Sequence, residues 1–385
     1  MTAVHIEVLG SVFAVDIPSA DDAGRIRDQW ARCMAPADAA TVGDVPYGSH
    51  DDSDRRDYAL ASSLTMAGIT QAAGSRLMLH AAGVADRGTG QVAVLVAASG
   101  TGKTTAAHRL CSTEFGYVSD ETVSIGADDD VLPYPKPLSV VIDGDSPQHK
   151  SQHGPDELDL QPCPAQPHAA LFALLERDRD AEAEPGAAPA LERVPLMDGL
   201  LELIPQTSAL PAMRRPLQTL AGALQRAGGV WRLRYREVEE TATLLRDALR
   251  SRTPDPTRVV AFEPADDRSS RPTPEPTEPT QPTDSDQTSA ASDEVPDLPD
   301  TTCVIRAPYV DAVGIEDEIV VLVGSRPARL SGLGATLWIH AAASESITRL
   351  TELCVAEHGD HPQAADLVRD AIRDLLQHSV LQQVG

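Results

Sequence analysis

Apolar residues recur along this chain in two periods, and the switches between them outline its elements. Residues 4–16 form a strand-like run, and residues 23–34 fit a short amphipathic helix. Residues 57–73 set Leu60, Leu64, Ala67 and Ile69 at near-helical spacing, after which Leu77, Met78 and Leu79 begin an apolar strand. The run 92–97, VAVLVA, is continuously apolar, as in strands buried on both faces of a sheet. Further strands are predicted at 117–119, 123–125, 169–175 and 231–235, with a proline-interrupted edge strand at 131–141 and a closing helix at 239–249.

This alternation predicts an α/β domain over residues 1–263. From 264 to 301 the chain turns to Pro, Thr, Ser and acidic residues, too poor in large apolar side chains to offset backbone ordering, and reads as a disordered acidic tether. A charged stretch rich in Ala, Pro and Gly at 178–189 reads as a surface loop inside the first domain. Patterning resumes over 302–385: an apolar strand at 319–323, a turn at 324–327, a return strand at 328–330, and helices at 333–341, 346–357 and 362–378. Val380 and Leu381 close the chain as a short strand. A hairpin on three short helices is the outline of a winged helix. If 319–323 lies at a sheet edge, it offers a template for an added peptide strand.

Length and charge narrow the function. A chain of 385 residues exceeds the roughly 250–300 residues of a single core, which agrees with two folded units. Aromatics at 3% leave the core to Ala, Val and Leu, and a net charge of −26 opposes nucleic acid and anionic membranes as partners. The start has no basic segment leading into an apolar core, and no apolar run reaches the roughly 18 residues of a membrane span, so a cytoplasmic location is expected. Five cysteines, without a C-x-x-C pair, read as reduced thiols.

Chemistry concentrates after the apolar strand. Residues 97–105, AASGTGKTT, lead from a strand into a helix, the context a phosphate-binding loop requires. Backbone N–H groups from Ser99, Gly100, Thr101, Gly102 and Thr105 would cradle phosphates, Lys103 would reach the outer ones, and the Thr104 hydroxyl would ligate Mg²⁺. Ala97 replaces the first glycine of the usual pattern and must keep backbone angles that an L-residue tolerates. Asp120 and Glu121 follow a strand one helix further on; parallel strands side by side would bring both carboxylates to the loop. One would hold the metal and the other accept a proton. His80 ends the preceding strand, as a catalytic assistant or a satisfied core histidine. Lys136, between Pro135 and Pro137, reads as a surface lysine or as one that approaches the phosphates.

The segments LMLHAAGV, VLVAASGTGKTT, GYVSDETVSI and LPYPKPLSV, spanning about residues 75 to 142, resemble the catalytic domain of HPr kinase/phosphorylase and the HPr-kinase-like proteins of ribosomal-peptide modification. The resemblance implies ATP as cofactor, Asp120 as general base and His80 as its assistant, which leaves Glu121, with Thr104, to hold Mg²⁺. The signature by which HPr enzymes bind their phosphoprotein is not recognisable, so another acceptor is expected. Residues 303–384 resemble the PqqD-like precursor-recognition module in APYV, EDEIVVL, LSGL and TLWI, which implies binding of a leader peptide as an added strand. Together these imply a kinase that phosphorylates a Ser or Thr hydroxyl of a ribosomally made precursor peptide. The alternative is a nucleotide-binding recognition subunit that presents the precursor to other modifying enzymes. Homo-oligomer formation stays open.

Overall fold

The computed structural model describes residues 2–98, 100–141, 150–178, 188–264 and 298–384, in a mixed α/β arrangement with several sheets. The N-terminal apolar run is two strands rather than one. β1 (Thr2–Val8) and β2 (Ser11–Ile17) pair antiparallel, because Leu9 and Gly10 both take left-handed backbone, φ 49° and 82°, and reverse the chain. α1 (Ala20–Gln29) follows, its first turn capped by the Ser19 side chain, then β3 (Gly43–Asp44) and α2 (Ser53–Ala72), capped by Asp52. Ile6, Ile17, Ile26, Trp30 and Leu60 form the core between them.

The large sheet is built from β4 (Leu77–Ala85), β5 (Gln91–Val96), β6 (Gly116–Ser119), β7 (Thr122–Ile125) and β8 (Val131–Leu132), with α3 (Lys103–Cys111) between β5 and β6. A separate antiparallel pair, β9 (Leu138–Val141) and β10 (Lys150–His153), follows. The chain then continues through β11 (His168–Arg177), β12 (Ala190–Val194), α4 (Leu196–Leu203), β13 (Thr207–Ser208), α5 (Pro216–Arg226), β14 (Val230–Tyr235) and α6 (Ala242–Ser251). Strand order is β12-β14-β11-β5-β4-β7-β8, with β6 and β13 also bonded to β4. β5, β11 and β14 are mutually parallel, and the apolar runs of β5 and β11 pack with α3 and α6 around Leu95, Leu110, Phe115 and Leu245.

β4 decides where the chemistry sits. One edge pairs with β5 through Ala81–Ala85; the other pairs with β7 through Leu77–His80 and then with β6 through Gly83–Ala85. The expectation that the loop strand and the acid-bearing strand lie side by side is therefore corrected, since β4 runs between β5 and β6. Both are antiparallel to β4, so their carboxyl ends still reach the same edge. His80 likewise lies within β4 and not at its end.

The chain divides into two compact units, Met1–Arg214 with Thr219–Pro256, and Arg215–Gln218 with Thr257–Gly385. Most of the expected tether, residues 265–297, lies outside the described residues, as do 179–187 of the expected loop. Folded structure reaches into the C-terminal end of the expected tether, and the residues just before the tether belong to the second unit and not the first. β15 (Val259–Phe262) pairs with β17 (Asp311–Ile315), while Leu298 is buried in the second core and Asp300 accepts from Arg369 at 2.7 Å.

In the second unit, β16 (Cys303–Arg306) and β17 precede β18 (Glu318–Val323) and β19 (Arg326–Leu330). α7 (Gly332–His340), β20 (Glu345–Ser346), α8 (Ile347–His358), α9 (Ala364–Gln377) and β21 (Leu381–Val384) follow. One sheet runs β15-β17-β18-β19 and the other β20-β16-β21. The strand at 319–323 is not an edge, because β17 and β19 bond it on both sides; β15 and β19 are the edges. Among the described residues no helix is long and apolar enough to cross a membrane.

Gly83 is where β4 changes register against β6, and a Cβ there would lie 2.9 Å from the Cβ of Val118. Replacing Gly83 with Ala is expected to lower stability by about 1–3 kcal/mol through overpacking, read as a lower urea midpoint at unchanged m-value.

Candidate functional site

β5 ends at Val96, opposite Ala81 of β4. Ala97 is not among the residues with left-handed backbone, so the methyl group in place of the usual first glycine is accommodated without strain. Gly100 and Gly102 do need positive φ, 78° and 102°, and they turn the loop into the N-terminus of α3. The first N–H groups of that helix have no partner within it and carry the positive end of its dipole. Ser99, expected in the cradle, lies outside the described residues; Thr101 donates its hydroxyl to the Ala98 carbonyl at 2.5 Å.

Lys103 is 6% exposed, and its Nζ donates to the carbonyls of Ala97 at 2.6 Å and Ala98 at 3.1 Å. Burial pulls its ammonium down to about 8, against the opposing attraction of Asp120 and Glu121. Thr104, one residue on, donates its hydroxyl to Asp120 Oδ2 at 2.9 Å.

Asp120 and Glu121 form a bend between β6 and β7, and Ala81 N–H donates to the Glu121 carbonyl at 3.1 Å, which fixes that bend to β4 at the level where β5 ends. Asp120 is almost fully buried and has two occupied faces: Oδ2 meets Thr104, and Oδ1 meets Tyr117 Oη at 3.1 Å and Lys136 Nζ at 3.2 Å. Glu121, with its side chain 34% exposed, reaches the same Lys136 ammonium at 3.1 Å.

Lys136 is thus corrected from a surface residue to a buried one, 2% exposed, and its third donor goes to the Pro137 carbonyl at 3.0 Å. Burial works against its charge, yet Asp120 and Glu121 outweigh that and hold the ammonium above its ordinary value. Tyr117 was legible only as part of a strand. Buried, and beside the Asp120 carboxylate, its phenol is pushed far above its usual range and stays a hydrogen-bond donor, within 3.1 Å of both Asp120 Oδ1 and the Lys136 carbonyl.

His80 lies in β4 next to Ala81, half-buried, and its imidazole bonds the Glu121 main chain. Burial first, and then the Lys103 charge, lower its pKa and favour the neutral ring. His80, Lys103, Thr104, Asp120, Glu121 and Lys136 therefore belong to one cluster, with Gly100 and Gly102 shaping the loop beside it.

The donor set fits a magnesium–triphosphate ligand. α3 supplies main-chain donors, Lys103 a cation, and Thr104 Oγ1 with Asp120 Oδ2 a pair of oxygens suited to a hard ion. Among the described residues no group of three His, Cys, Asp or Glu could hold a metal by itself, so phosphate oxygens and water would complete the coordination.

The solved structure of the Hpr(Ser) kinase/phosphatase from Coxiella burnetii is similar to this chain at 12% sequence identity and a TM-score of 0.24, covering 45% of this chain and 93% of that one. No protein-family model matches the chain. No curated protein matches it either.

Two outcomes follow from the lysines. Below pH 8 Lys103 is charged with or without a bound anion; above it, the free site must take up a proton before it can hold a triphosphate. Affinity for Mg-ATP measured by calorimetry is therefore expected to be flat below pH 8 and to fall by up to about tenfold per pH unit above it. Replacing Lys136 with Met strands two carboxylates and is expected to cost about 3–5 kcal/mol in metal-free buffer, read from urea denaturation.

Proposed function

We propose that the chain is an ATP-dependent kinase that transfers a phosphoryl group to a Ser or Thr hydroxyl of a ribosomally made precursor peptide. The observation that carries the reading is the hydrogen bond between Thr104 and Asp120 behind a phosphate loop whose lysine is already turned into it. A structural strand-to-helix turn requires neither a buried ammonium nor a carboxylate aimed at the helix's first hydroxyl.

In this reading Lys103 and the N-terminus of α3 orient the outer phosphates, while Thr104 and Asp120 hold Mg²⁺, which neutralises charge developing on the transferred group. The acceptor hydroxyl oxygen forms a bond to the γ-phosphorus as the bond to the ADP oxygen breaks, and its proton goes to a carboxylate. Glu121 is the more exposed of the two and the one we favour for the proton, with neutral His80 beside it. Asp120, facing Thr104, is the one we favour for the metal, the reverse of the division that the family resemblance implies.

The second unit supports a peptide substrate through β19, which ends its sheet among the described strands and whose main-chain groups could pair with an extended leader as in PqqD-like modules. Capture without transfer is favoured by a different observation: Asp120 accepts from Tyr117 and Thr104 and pairs with Lys136, and Glu121 is itself tied to Lys136 at 3.1 Å, so each carboxylate is already committed.

Full-length protein, Mg-ATP and the precursor encoded beside its gene are expected to yield a peptide heavier by one phosphoryl group, detected by mass spectrometry. Glu121→Gln is expected to keep nucleotide affinity and lose about 10² to 10⁴-fold in transfer rate. An unmodified peptide with the wild-type chain, at full nucleotide occupancy, would leave capture without transfer as the function.

A further inference from the structure

We propose that the Lys136 ammonium is a built-in second cation of this cleft, so that the site takes one divalent ion where a bare pair of carboxylates would take two. Asp120 has two faces. Oδ2 opens toward Thr104 and the phosphate loop; Oδ1 is turned the other way, toward Lys136. A single carboxylate therefore stands between an open cation position and a filled one.

The filled position has the make-up of a small oxygen cage. An ammonium has three donors, and here each has an oxygen within 3.2 Å: Asp120 Oδ1 at 3.2 Å, Glu121 Oε2 at 3.1 Å and the Pro137 carbonyl at 3.0 Å. Two carboxylates and a carbonyl are also what a hard divalent ion selects, and paired-metal sites bridge such carboxylates with ions about 3.5–4 Å apart. Lys136 cannot drift away to make room, because it is 2% exposed and its own carbonyl lies 3.1 Å from the Tyr117 hydroxyl that also serves Asp120. The proline on each side restricts the backbone that carries it.

Charge explains why the position is filled by the chain itself. Asp120 and Glu121 bring two negative charges to the sheet edge, and Lys103 answers the phosphates when a nucleotide is bound. Without Lys136 the pair would draw a second ion from solution, and the site's charge would vary with metal concentration. With it, the metal count is set by the open face at Thr104 alone. The proposal rests on the reading of this cleft as a metal–nucleotide site for the place of the open position; the filled position stands on the Lys136 geometry.

The test counts ions on the full-length chain. Free Mn²⁺ is followed by electron paramagnetic resonance during titration with a non-hydrolysable ATP analogue present, for wild type, Lys136→Gln and the double variant Lys136→Gln with Glu121→Gln. One Mn²⁺ per chain is expected for wild type, two for Lys136→Gln, and one again for the double variant, which lacks half of the vacated cage. A parallel melting series with Mn²⁺ alone is expected to raise the melting temperature of Lys136→Gln more than that of wild type, since an ion that binds only the folded state stabilises it. Two ions on wild type would overturn the proposal, and so would a single ion on folded Lys136→Gln. Should Lys136→Gln be unfolded without metal, failure of Mn²⁺ to restore a melting transition would overturn it as well. Loss of analogue binding by wild type would instead overturn the proposed function, and the metal-only melting series would still decide the role of Lys136.

Discussion

Strand β4 must satisfy its backbone on two edges, and the site follows from how it does so. One edge is shared by β5 and the short β13, and the other is divided between β7 and β6, so the chain joining β6 to β7 has to bend where β4 changes partner. That bend is Asp120 and Glu121. The N–H of Ala81 holds it at the height where β5 runs out and the phosphate loop begins. Unpaired main-chain groups at that depth would each cost about 1–3 kcal/mol, so the hydrogen-bond ladder and the position of the acids are set together. Gly83, at the register shift, gives Val118 the room that this exchange of partners needs.

Charge then has to be reconciled with burial. Lys103 and Lys136 are both largely out of water and lie on either side of the acid bend, but they end in opposite electrostatic states. Among the described residues Lys103 bonds main-chain carbonyls, and its charged form is weakened; Lys136 touches both carboxylates and its charged form is strengthened. The difference comes from placement alone, since the side chains are identical. It leaves one lysine responsive to an arriving anion and the other committed to the protein's own acids.

The legible part of this site was the part written in consecutive residues. A loop that binds phosphate through its main chain must be contiguous, so residues 97–105 could be read directly, and the apolar run before them located β5. Lys136 was not legible, because prolines on both sides suggest an exposed turn, and only the packing of that turn over Tyr117 carries the lysine inward. Sheet order was hidden for a similar reason: apolar runs show that strands exist but not which of them exchange hydrogen bonds, so β4 between β5 and β6 could not be foreseen. In the second unit the helices lay close to where their apolar stripes set them. There β18 was not foreseen as an inner strand, because β17, a short run broken by Gly314, gave too weak a signal to be read as the strand that bonds β18 opposite β19.

The resting contacts of Lys103 also have a consequence in time. With its ammonium on the carbonyls of Ala97 and Ala98, the free loop is tied to itself by the same donor that a nucleotide must recruit. Arrival and engagement are then separate events. A loosely held encounter forms at a rate set by concentration, and the swing of one side chain from carbonyl to phosphate follows at a rate of its own. The approach to equilibrium should level off at high nucleotide concentration, and an anion too poorly charged to outbid two amide oxygens should visit the loop without ever opening it.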